Sequence, residues 1–149
     1  MILLVVDNTT QEGTVEMKRM RHFHGRKGFT KKARGILGEP DHPAGGGMES
    51  WGFIPIETLR EVADTLPVSS REMRQSPKAP SIDECIGAED VIGVRVYRII
   101  PERPDERVQV EGVYLPLGGK DAHPEWAATA DEECPVEIDG WNMTRLWWD

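Results

Sequence analysis

The chain has 149 residues, a net charge of −8 and 38% apolar side chains, the dimensions of one domain that can bury a core without a metal or disulfide staple. No apolar run approaches the roughly 18 residues that a membrane span requires. Two cysteines, Cys85 and Cys134, stand far apart in no C-x-x-C pattern, which fits free thiols in a reducing, cytoplasmic compartment.

The net charge hides a division. Residues 1–38 hold 8 Lys and Arg against 3 acids, whereas residues 39–149 hold 10 against 23. An acidic body therefore carries a basic N-terminal segment, and that asymmetry says more about partners than the total does.

In chain order, Ile2 to Val6 is a continuous, branched apolar run and predicts a strand buried on both faces. With Asp7 and Asn8 it is similar to the opening strand of class I glutamine amidotransferases. The likeness stops after seven residues: neither Cys85, between Glu84 and Ile86, nor Cys134, between Glu133 and Pro135, lies in the Gly-flanked elbow that such an enzyme requires. The acidic neighbours of both thiols also oppose a nucleophilic role. Thr9 and Glu12 have capping-box spacing and predict a helix running to about Phe23.

Residues 24–28 read as a loop. Thr30 is placed to cap a short basic helix from Lys31 to Leu37, stopped by Gly38. Residues 39–47, rich in Pro and Gly, read as a linker or a mobile active-site loop rather than a domain boundary. Pro55 opens a helix to about Leu66, with Ile56, Leu59, Val62 and Leu66 on one face. A second short helix is predicted over Arg71 to Gln75, and Ser81 with Glu84 marks a further helical turn.

The second half reads as β. Ile92, Val94 and Val96 alternate with Gly93, Arg95 and Tyr97, and Val108 to Tyr114 alternates likewise, giving an antiparallel pair joined by residues 101–106. Further strands are predicted at 136–138 and 141–148. The order is not a βαβ alternation, so the expected fold is a single α+β domain with an antiparallel, β-rich C-terminal half.

Three constellations bear on function. Lys18, Arg19, Arg21, Arg26, Lys27, Lys31, Lys32 and Arg34 fall within 17 residues. Their leading reading is a contact with an anionic protein surface. Phosphate or nucleic acid is the alternative, since His22, Phe23, His24 and Phe29 interleave with the cations. Trp141, Trp147 and Trp148 crowd the C-terminus, either closing the core or forming a subunit interface. His22, His24, His42 and His123, with Asp41 and Glu125 beside the last two, are candidate metal ligands or bases for a small metal-assisted enzyme, although no H-E-x-x-H-type spacing occurs. The leading expectation is a non-catalytic binding protein or small subunit of a larger assembly, without a cofactor.

Overall fold

The computed structural model describes residues 26–43 and 45–149. The predicted strand over 2–6 and helix over 9–23 lie outside that range. So do Lys18, Arg19, Arg21, His22 and His24.

Five helices are described: α1 (Lys31–Leu37), α2 (Ile56–Ala63), α3 (Val68–Glu72), α4 (Ile82–Gly87) and α5 (Pro124–Thr129). The strands are β1 (His42–Pro43), β2 (Met48–Pro55), β3 (Gly93–Ile99), β4 (Arg107–Pro116), β5 (Glu132–Ile138) and β6 (Trp141–Trp147). They form a curled, wholly antiparallel sheet in the order β1-β2-β3-β4-β6-β5. This is the α+β architecture with a β-rich C-terminal half that the sequence predicts.

One sheet face carries Val94, Val96, Val108, Val110, Val113, Leu115 and Leu146, all buried. Helix α2 lays Ile56, Leu59, Val62 and Ala63 toward this core, with Ile82 and Cys85 of α4 beside them. The spacing of those four residues on α2 is that of one helical face. Ser81 and Glu84 form a reciprocal capping box, the Ser81 hydroxyl accepting from the Glu84 N–H at 3.1 Å and the Glu84 carboxylate from the Ser81 N–H at 2.8 Å.

The structure shifts several expected boundaries. Helix α2 ends at Ala63, and Leu66 is buried in the turn that follows. The helix expected over 71–75 runs instead from Val68 to Glu72, because Pro67 sets its start. Residues 39–47, read as a linker or loop, contain the short strand β1 and a 3-10 turn over Gly45–Gly47. His42 pairs with Ser50 and Pro43 with Glu49, which ties this stretch to β2.

The tail is divided. Trp148 is fully buried, edge-on to Trp126 at 6.5 Å, and its backbone N–H bonds the Glu111 carbonyl. Trp141 is 73% exposed. Trp147 lies half-buried between two arginines.

Candidate functional site

The basic segment is anchored by a buried polar network. Gly28 stands at φ +90°, a left-handed conformation that glycine tolerates at little cost, and it turns the chain into α1. Its N–H donates to Glu106 Oε1 at 2.7 Å, and the Thr30 N–H donates to Glu106 Oε2 at 2.9 Å. The Thr30 hydroxyl also donates to Glu106 Oε2. The same hydroxyl accepts from Arg98 Nε at 2.8 Å. Arg98 continues to Glu49 Oε1 at 2.9 Å, and Glu49 receives Arg34 Nε at 3.2 Å. Thr30 is fully buried, and Glu106 and Arg98 are each 6% exposed.

Thr30 was expected to cap α1 with its side chain. It stands at the N-cap position, but no side-chain cap bond forms. The carboxylate of Glu106 is a stronger acceptor than a hydroxyl, and it takes both the Thr30 N–H and the Thr30 O–H.

This network holds two arginines, Arg34 and Arg98, against two carboxylates, Glu49 and Glu106. It is charge-balanced within itself, as buried charges must be. Arg34 also donates to the Gly38 carbonyl at 2.8 Å and lies 6.0 Å over the Trp51 ring. It is therefore turned into the fold and is not part of the presented basic surface.

Arg26, Lys27, Lys31 and Lys32 are different. All four are exposed. They take part in none of the ion pairs found among the described residues. They sit on the turn before α1 and in its first turn, where no acid is present. Cations are favoured at the other end of a helix, so this placement does not serve helix stability.

The histidines do not converge within the described residues. His42 is exposed on the edge strand β1. His123 Nε2 lies 2.7 and 3.0 Å from the two Asp90 carboxylate oxygens, and its ring stacks on Trp126 at 4.3 Å with an interplanar angle of 12°. The Asp90 contact ties the start of α5 to the segment before β3, and the stacking on Trp126 is local to α5. Among the described residues, no group of three or more His, Cys, Asp and Glu side chains is placed to hold a metal ion. Cys85 is completely buried, and that burial, with Glu84 nearby, pushes its thiol far above the ordinary range, which leaves it inert as a nucleophile.

Sequence reasoning missed Glu106, Arg98 and Glu49 as supports of the basic segment. Arg98 ends an apolar alternation and Glu106 closes a Pro-containing loop, and neither position announces a partner 68 or 76 residues away. No described helix is long and apolar enough to cross a membrane. No protein-family model matches the chain, no curated protein matches it, and no solved structure matches it.

Proposed function

We propose that the protein is a non-catalytic binding protein, or the small subunit of a larger assembly, that grips an anionic protein surface through Arg26, Lys27, Lys31 and Lys32. One observation carries the reading. The four cations are exposed, and free of ion pairs among the described residues, on a turn and helix that a buried network pins to the sheet. Among the described residues, acids are plentiful, yet none of them pairs with these cations. The network fixes the backbone from which these side chains project, so binding orders the side chains and not the chain itself.

The test is affinity capture from cell lysate with the native chain and a variant carrying Arg26→Ser, Lys27→Ser, Lys31→Ser and Lys32→Ser. The native chain retains a polypeptide at low salt and releases it as salt rises, because exposed charge contacts are screened. The variant retains it weakly and with little salt dependence. Equal retention by both across the salt series refutes the reading. Release of the captured material by nuclease assigns the surface to nucleic acid instead.

A further inference from the structure

The sheet face opposite the main core carries its own cluster. In an antiparallel sheet, directly paired residues share a face. One row across the sheet is Arg95, Gly112, Trp147 and Glu132, and the next is Gly93, Tyr114, Arg145 and Cys134. Gly112 is the opening in the first row. A Cβ there would meet the Leu146 carbonyl oxygen at 3.2 Å, Arg95 Cβ at 3.3 Å and Trp147 Cδ1 at 3.8 Å. Without it, Arg95 reaches across β4 to within 5.5 Å of the Trp147 ring, and Arg145 approaches the same ring at 5.7 Å.

Two polar atoms in this cluster have no hydrogen-bond partner although they are shielded from solvent: Arg145 Nε and Trp147 Nε1. Among the described residues, the other two such atoms are Ser70 Oγ and Gln75 Oε1, in and just after α3. Orphaned buried polar groups are rare. Here two stand two residues apart on one strand and one face, and both groups donate and never accept. The missing element is an acceptor. The Nε and Nη2 edge of an arginine is built to hold two oxygens at once. Glu132 takes only the Nη2 end, at 3.1 Å, and the Tyr114 hydroxyl also faces the guanidinium, but the Nε–H has no acceptor.

We propose that this face binds a small oxyanion, a carboxylate or a phosphate, whose oxygens accept from Arg145 Nε–H and Trp147 Nε1–H. Arg95 does not compete for it, because Glu111 holds Arg95 Nε at 2.9 Å. Its guanidinium packs the indole ring and keeps the N–H oriented. Entry requires the half-exposed Glu132 side chain to swing away from Arg145, which leaves both donors in place.

Nuclear magnetic resonance of the full chain tests this directly. Five tryptophans give five indole N–H signals, and Trp147→Phe identifies the one that belongs to Trp147. The chain is titrated with sodium benzoate and, separately, inorganic phosphate at constant ionic strength. The expected result is a saturable shift of the Trp147 indole signal and the Arg145 Nε–H signal. Arg145→Lys, which keeps the charge and loses the Nε–H, weakens that binding at least about tenfold, the loss of one charge-assisted hydrogen bond. If Arg145→Lys does not fold, Trp147→Phe, read through Arg145 Nε–H, carries the same comparison. A response to benzoate alone assigns a carboxylate, and to phosphate alone a phosphate. The proposal is overturned if neither probe moves the Trp147 signal more than that of exposed Trp141, or if Arg145→Lys binds as the native chain does. The basic patch takes no part in this readout, so the two readings stand or fall separately.

Discussion

Replacing Thr30 with Val changes little in shape and removes one oxygen. That oxygen donates to Glu106 and accepts from Arg98 Nε at 2.8 Å, and the side chain is fully buried. Its loss leaves the Arg98 Nε donor without an acceptor and removes one of three bonds to the Glu106 carboxylate. Hydrogen bonds to charged groups contribute about 1.5–3 kcal/mol each, and a stranded buried donor bears its desolvation cost. Partial relaxation of Arg98 toward Glu49 offsets some of this, so the expected cost is about 2–4 kcal/mol. For a chain of this size that corresponds to a fall in melting temperature of roughly 5–15 °C. Thr30→Ser keeps the hydroxyl and loses one methyl, which costs about 1 kcal/mol. Urea unfolding of the three proteins measures the difference, with the denaturant slope unchanged if the native state stays compact. Destabilisation by Val no greater than that by Ser would mean that the hydroxyl counts for no more than a methyl, and the account of how α1 is anchored would fail.

Two other expectations follow from the same geometry. Trp148→Ala leaves a cavity in the core and costs about 3–5 kcal/mol, whereas Trp141→Ser at an exposed position stays within about 0.5 kcal/mol, as chemical denaturation will show. Glu84 is partly buried, which alone would raise its pKa, but the Arg74 guanidinium and the Ser81 N–H outweigh burial and hold it below the ordinary carboxylate range. Its folded pKa is thus depressed, so its contribution is present above the unfolded value and lost as pH falls through the folded one. Glu84→Gln should therefore flatten the acid limb of a stability–pH curve and leave stability near neutral pH lower than in the native chain.

The apolar periodicities carried the architecture well. β3, β4 and α2 were legible because Val94, Val96, Val108 and Val110 repeat every second residue and Ile56, Leu59 and Val62 every third or fourth. Strand β2 was not legible. Its register shifts between Trp51 and Ile54, and the bulge breaks the alternation on which a strand is recognised. Helix α5 was missed because it is only six residues long and buries none of them. The Ser81 and Glu84 box was readable because both partners lie within one turn. Of the basic segment, the cations themselves could be read from sequence. The distinction between Arg34, turned inward, and its four exposed neighbours could not, since it depends on Glu49 and Arg98 arriving from other strands. The crowding of Trp141, Trp147 and Trp148 likewise hid three environments: Trp148 is buried in the core, whereas Trp141 and Trp147 share the other face, Trp141 at its exposed end and Trp147 packed by two arginines.

The Gly28 and Thr30 bonds to Glu106 span 78 and 76 residues. Helix α1 has seven residues, too few to persist alone in water. Its cations therefore acquire their fixed arrangement only after β3 and β4 have paired and brought Glu106 into place. During synthesis the basic segment emerges well before that anchor does. The geometry that distinguishes this surface from a loose run of positive charge is thus a late product of folding, and an incomplete chain would carry the charge without the shape.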